Sequence, residues 1–191
     1  MGEANNLIEL DISRPQELDR QLDKKDLKII LLGRVPKRVG EAVADVTLDV
    51  FKKMDFNGVP PKKISISDGS VILPSGEEVP SCYEGDEEPK KPGNILISYT
   101  SCEKSFSWID RIRIPDYVRV AAYAAHEAVH HVQVMKGEKT LGSSKMIPIE
   151  IHVKEKSEQE ANRIAKEVIA ERYGWGIIFG GEFYLKGKET Q

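Results

Sequence analysis

The sequence predicts an α+β fold in which a small, twisted, mixed sheet packs on helices. Strand-like apolar segments separated by turn residues dominate the first half of the chain, one stretch there has helical spacing, and two long helical segments follow. The chain has 191 residues, of which 40% are hydrophobic, so one ordinary domain with a buried core is expected. We therefore predict a single domain over 1–191, built from an N-terminal strand and helix portion (1–60), a central portion (62–173) and a C-terminal arm (174–191).

The N-terminal portion predicts alternating strand and helix. Residues 7–12 favour a short strand, and the polar segment RPQELDRQLDKKD (14–26) favours a helix or a turn. The apolar run KIILLGRV (28–35) predicts a buried strand. From 36 to about 55, valines recur at i, i+4, i+7 and i+11, which predicts an amphipathic helix that a Gly- and Pro-containing segment ends.

The central portion predicts β structure followed by two helices. KKISIS and SVILP flank an Asp-Gly turn signal, and NILISYT (94–100) alternates as a strand does. These segments give a main sheet of about four strands. The acidic stretch EGDEEPKKPG (84–93) predicts an exposed loop. One helix is expected from 116 to 136, stopped by Gly137, and another from about 154 to 173, stopped by Gly174.

Charge and composition argue against several kinds of partner. The net charge is −3 and basic runs are short and mixed with acids, so nucleic acid is not an expected partner. The N-terminus lacks a signal-peptide pattern, and no apolar run approaches the ~18 residues of a membrane span, so we expect a soluble cytoplasmic protein without membrane contact. Cys82 and Cys102 lack a metal-binding spacing and are expected to be free thiols, with a single bridge across a hairpin as the alternative.

The stretch AAHEAVHHVQ (124–133) concentrates residues that bind metals. His126 and His130 are four apart, so an α-helix places both imidazoles on one face, where they can share a tetrahedral Zn²⁺. Glu127 lies about 100° round the helix, within reach of a metal-bound water whose proton it would accept. The neighbouring positions are small and apolar, which predicts a buried helix and makes unpartnered imidazoles costly. His131 points elsewhere, and we expect it either to face solvent or to support the site without binding metal. His152 is expected to be polar surface.

A third ligand is expected from the last helix. Its apolar stripe, extended back by one turn, meets Glu158, and a carboxylate on a buried face needs a cation or a hydrogen-bond partner. Glu160 lies nearer the polar edge of the helix and Glu155 lies in its frayed first turn, so Glu158 is the better candidate. Asn162, four residues later on the same side, could hydrogen-bond the free ring nitrogen of a ligating histidine.

HEAVH, then 27 intervening residues, then EQEANRIAKEV resembles the gluzincin metallopeptidases, most closely the ImmA/IrrE-type family. The resemblance implies a zincin-like minimal metallopeptidase domain in which Zn²⁺ is held by His126, His130 and Glu158. It implies that Glu127 is the general base, and Asn162 matches the family's supporting position next to the ligands.

The same resemblance, which covers about residues 90–172, implies how substrate binds. NILISYT would be the edge strand that pairs with an extended peptide or protein substrate. Val129 replaces a glycine that many such proteins have, which is a tolerable change. The residue that stabilises the oxyanion is not identifiable from the sequence, and its candidates are Tyr173, Tyr184 and His152.

Three functions remain open at the level of sequence. The chain is a soluble zinc endopeptidase, or a latent or non-proteolytic binding protein on a zinc-peptidase scaffold, or a metal-free domain with an accidental HExxH. A general-base glutamate favours the first, because a purely structural zinc has no need of it. Cleavage and metal content distinguish the three.

Overall fold

The computed structural model describes residues 9–10, 20–24, 26–85, 90–105, 113–138, 156–178 and 182–185. Within these residues the chain forms four α-helices and ten β-strands, which is a mixed α and β architecture with a small mixed sheet. The predicted fold class is therefore confirmed at this level.

The main sheet has five strands, one more than predicted. In spatial order they are β2 (Arg20–Lys24), β3 (Leu27–Leu32), β4 (Lys63–Ser67), β8 (Asn94–Ser98) and β7 (Ser81–Glu84). The three central strands run parallel, and each edge strand is antiparallel to its neighbour. Apolar residues recur at every second position of these strands, so they lie on one face of the sheet. The large side chains that are fully buried in the central strands are Leu27, Ile29, Leu31, Ile64, Ile66, Ile95 and Ile97.

Two predictions about strands were wrong. NILISYT is not an edge strand, because β8 lies between β4 and β7. The edge on that side is β7, whose sequence SCYE is too short to show an alternating pattern. The segment 14–26 was predicted as helix or turn, yet its last part forms β2. There the tight turn at Asp26, with a φ of 68°, lets the chain pair back onto β3.

Two smaller β units complete the strands. β1 (Glu9–Leu10), β5 (Val71–Ile72) and β6 (Glu78–Val79) form an antiparallel sheet of three short strands. β9 (Trp175–Ile178) and β10 (Glu182–Leu185) pair with each other, so the segment predicted as a C-terminal arm contributes two strands.

The four described helices are α1 (Lys37–Lys53), α2 (Tyr99–Lys104), α3 (Asp116–Lys136) and α4 (Lys156–Tyr173). Three of them begin and end close to their predicted bounds, whereas α2, which begins within the segment predicted as a strand (94–100), was not predicted. α3 ends at Gly137, whose φ of 76° is a left-handed conformation that glycine adopts without strain.

α3 is the central helix of the fold. It packs against α1 and α4 and also contacts β7 and β8. Small side chains allow this close approach, and the buried alanines are Ala121, Ala122, Ala124, Ala125 and Ala128. α1 also contacts β3, so the main sheet packs on helices, as predicted.

Polar contacts fix the start of α3. Asp116 accepts hydrogen bonds of 2.8 Å from both Arg38 and Tyr99. Burial alone would raise the pKa of Asp116, but these bonds outweigh it and hold the pKa below its usual value. Arg119, which is buried, pairs with Glu103 of α2. These contacts anchor the helix that carries HEAVH.

Among the described residues, no helix is both long enough and apolar enough to cross a membrane.

Candidate metal centre

The structure brings His126, His130 and Glu158 together between α3 and α4. The two Nε2 atoms of the histidines lie 3.0 Å apart. Glu158 Oε1 lies 3.1 Å from His130 Nε2, and its Oε2 lies 3.3 Å from His126 Nε2. His130 and Glu158 are each 5% exposed, whereas the side chain of His126 is 15% exposed, so solvent reaches the group on the side of His126.

These distances fit a single metal ion. Zinc binds nitrogen and carboxylate oxygen at about 2.0–2.2 Å, so neighbouring atoms of a tetrahedral site lie about 3.3 Å from each other. The observed separations of 3.0 to 3.3 Å agree with that value. The three residues could therefore hold a metal ion, with one donor atom from each.

A buried amide supports the two ligand-bearing helices. His130 Nδ1–H donates to Gln133 Oε1 at 2.9 Å, which directs Nε2 toward Glu158. The Nε2 of Gln133 donates to the backbone carbonyl of Ser157 and to Glu160, both at 3.0 Å. Sequence reasoning missed Gln133. The sequence feature that could have indicated its role is an amide side chain three residues after His130, on a helix face that is otherwise apolar.

The supporting bond predicted for Asn162 is not formed. Asn162 Oδ1 is buried and makes no hydrogen bond within the described part of the chain. The bond to a metal-site histidine in this structure comes from Gln133 on the same helix as that histidine, not from α4.

The candidate base, Glu127, faces the edge strand. It is 6% exposed, and its Oε1 accepts a 2.7 Å hydrogen bond from Ser81 Oγ of β7. Sequence reasoning did not find Ser81, because its position opposite Glu127 depends on how β7 packs on α3. The contact fixes the orientation of the carboxylate next to His126.

His131 is fully buried, so the expectation that it faces solvent was wrong. Its Nε2–H donates to the Val59 carbonyl at 2.9 Å, and its Nδ1 accepts from the Tyr83 hydroxyl at 3.2 Å. Burial lowers the pKa of His131 to about 4, so the ring is neutral at pH 7. The imidazole packs against the aromatic rings of Phe51, Phe56 and Tyr83.

Two matched contacts hold β7 along α3. Ser81 meets Glu127 and Tyr83 meets His131. Residues two apart on a strand are separated by about 6.7 Å, and residues four apart on a helix rise by about 6 Å. The similar spacing lets the strand run beside the helix, with Ser81 next to the candidate base.

None of the three residues considered for oxyanion stabilisation is placed at the site by the described part of the structure. Tyr173 is the last residue of α4, about 22 Å along the helix from Glu158, and it packs on Tyr117. It is too far to serve this site, so that candidate was wrong. Only the backbone of Tyr184 is described, in β10, and His152 lies outside the described residues.

Both cysteines are free, as predicted. Cys102 is buried in α2, and its thiol lies 3.6 Å from the carbonyl of Pro80. Cys82, on β7, is partly buried, and its burial, together with the charges of Glu127 and Glu84, raises the pKa of the thiol. Both thiols stay protonated at neutral pH, which makes them poor metal ligands.

Comparison with protein-family models, with curated proteins and with solved structures finds no match to this chain. What the protein does must be inferred from the site itself.

Proposed function

We propose that this protein is a zinc-dependent endopeptidase of the gluzincin type, with a zincin-like domain that resembles the ImmA/IrrE-type family. One observation carries the proposal. His126, His130 and Glu158 converge with donor separations of 3.0 to 3.3 Å, on the two helices that the HExxH and Glu-x-x-Ala-Asn patterns specify.

The residues present divide the work of peptide hydrolysis. The two histidines and Glu158 would hold the ion, and a bound zinc supplies a Lewis acid and lowers the pKa of its water. Glu127 accepts the proton of the attacking water and passes it to the leaving amine. Its near-complete burial, at 6% exposure, keeps competing solvent from the carboxylate.

The substrate is proposed to be an extended peptide that lies along β7. Among the described strands, β7 pairs on one side only, with β8, and an unpaired edge can accept a further strand. Ser81 belongs to this edge and contacts Glu127, so a peptide added there would pass the base. The proposed binding strand is therefore Ser81–Glu84, and not the segment 94–100.

One observation favours a second candidate, a latent or non-proteolytic regulatory protein on the same scaffold. Glu127 is already hydrogen-bonded by Ser81, and two of the three proposed ligands, His130 and Glu158, are buried. A protein that binds one dedicated partner in this state would need that partner to expose the site.

Replacement of Glu127 by glutamine tests the proposal. The variant keeps its side-chain shape and its zinc, and we expect its peptide hydrolysis to be about 10²–10⁴-fold slower, because the proton acceptor is lost. The assay is mass spectrometry of a peptide library incubated with zinc-loaded protein. Glu171→Gln makes the same change at an exposed position on α4 and should cleave as the wild type does.

Equal cleavage by wild type and Glu127→Gln would contradict the role of the base. A wild type that leaves unfolded substrates uncut, yet binds one partner tightly, would support the regulatory alternative.

A further inference from the structure

Gln133 joins the two helices that carry the metal ligands. It is 1% exposed, and both the carbonyl and the amino group of its side-chain amide form hydrogen bonds. The carbonyl oxygen accepts from His130 on α3, and the amino group donates to Ser157 and Glu160 on α4. No other kind of side chain of this length both accepts and donates twice.

We propose that Gln133 is a positioning residue for the metal centre, which presupposes the metal binding proposed above. Its carbonyl oxygen can only accept, so His130 must carry its proton on Nδ1. The Nε2 lone pair then faces Glu158, as metal binding requires.

The amino group acts on the other ligand. Ser157 directly precedes Glu158, and the bond from Gln133 to its carbonyl fixes the backbone there. The second bond, to Glu160, holds the same helix two residues after Glu158. A single amide thereby sets the separation of His130 from Glu158 across the contact between two helices.

The test measures zinc affinity on the full chain by competition with a chromophoric chelator. Gln133→Met keeps the length of the side chain and removes every hydrogen bond, and we expect zinc affinity to fall 10–100-fold. The double variant Gln133→Glu with Glu160→Gln reverses donor and acceptor between these positions and keeps an acceptor for His130, but it leaves the Ser157 carbonyl without its donor. It should therefore recover only part of the lost affinity, the part that depends on His130 and on the bond to position 160.

Two further variants keep the result interpretable. Ile169→Val trims the core on the far half of α4 and should bind zinc as the wild type does. Gln133→Asn keeps the amide but shortens it, so it probes the same bonds if the methionine variant does not fold.

Each outcome decides a different claim. Wild-type zinc affinity in folded Gln133→Met or Gln133→Asn would overturn the positioning role. A double variant as weak as Gln133→Met would overturn the part of that role assigned to the bond with His130. A wild-type chain that binds no zinc would overturn the metal centre and this inference with it. Zinc binding without peptide cleavage would overturn only the peptidase proposal, because this measurement does not read cleavage.

Discussion

If zinc binds at the proposed site, replacing Glu158 by glutamine should abolish most of the stabilisation that the metal adds to the folded chain. The Glu158 carboxylate is 5% exposed and lies 3.1 to 3.3 Å from the Nε2 atoms of His126 and His130. Glutamine has nearly the same shape, so packing is kept while the anion is removed. The variant therefore isolates the contribution of one proposed ligand.

The size of the effect follows from binding linkage. A ligand at 100 times its Kd adds about 2.7 kcal/mol to the free energy of unfolding. For a chain of this length, each kcal/mol raises Tm by about 2–4 °C, so zinc should raise the wild-type Tm by about 5–11 °C. If the variant binds zinc about 100-fold more weakly, the same zinc concentration adds only about 0.4 kcal/mol, or roughly 1 °C.

Differential scanning calorimetry with and without zinc measures both shifts. Glu171→Gln, on the same helix but exposed and paired with Lys53, serves as the matched control and should show the full wild-type shift. If zinc raised the Tm of Glu158→Gln as much as that of the wild type, Glu158 would not be a ligand, and the reasoning from its position would be refuted.

Three further predictions follow. Ser81→Ala removes the hydrogen bond to Glu127 and should lower kcat about tenfold at unchanged zinc content. The control Ser101→Ala removes a serine hydrogen bond to Glu78 instead and should keep the wild-type kcat. A wild-type kcat in Ser81→Ala would contradict the role of Ser81. His131→Leu loses two buried hydrogen bonds, and urea unfolding should show a loss of about 2–4 kcal/mol, so a loss near zero would be inconsistent with its anchoring role. Burial would raise the pKa of Asp116, but the hydrogen bonds that its carboxylate accepts lower it. The ionised carboxylate therefore stabilises the fold above the unfolded pKa of about 3.9, and this contribution is lost as pH falls through the lower folded pKa. The difference in free energy of unfolding between wild type and Asp116→Asn should shrink from pH 7 to pH 3. An unchanged difference would contradict the stabilising role of the Asp116 carboxylate.

The long helices could be predicted from the sequence because their signals are local. Periodic apolar positions, Pro115 before α3 and Gly137 after it, give the bounds Asp116–Lys136 without knowledge of any neighbour. The proximity of His126 to His130 follows from the helical repeat alone. Glu158 was found because a carboxylate interrupts a stripe that must face the core.

The remaining features depend on contacts between distant segments. β7 has no periodic pattern, and its place at the sheet edge comes from pairing with β8. The burial of His131 depends on the segment around Val59 that covers it. Gln133 and Ser81 have functional partners that only the packing of α3 against its neighbours reveals.

Removal and return of the metal on one sample tests the central claim most directly. The wild type should lose peptide hydrolysis when zinc is chelated and regain it as about one equivalent of zinc per chain is added back. His126→Ala, treated in the same way, should regain none. Hydrolysis that persists without metal, or a chain that takes up no zinc, would contradict the assignment of His126, His130 and Glu158 as a catalytic metal centre.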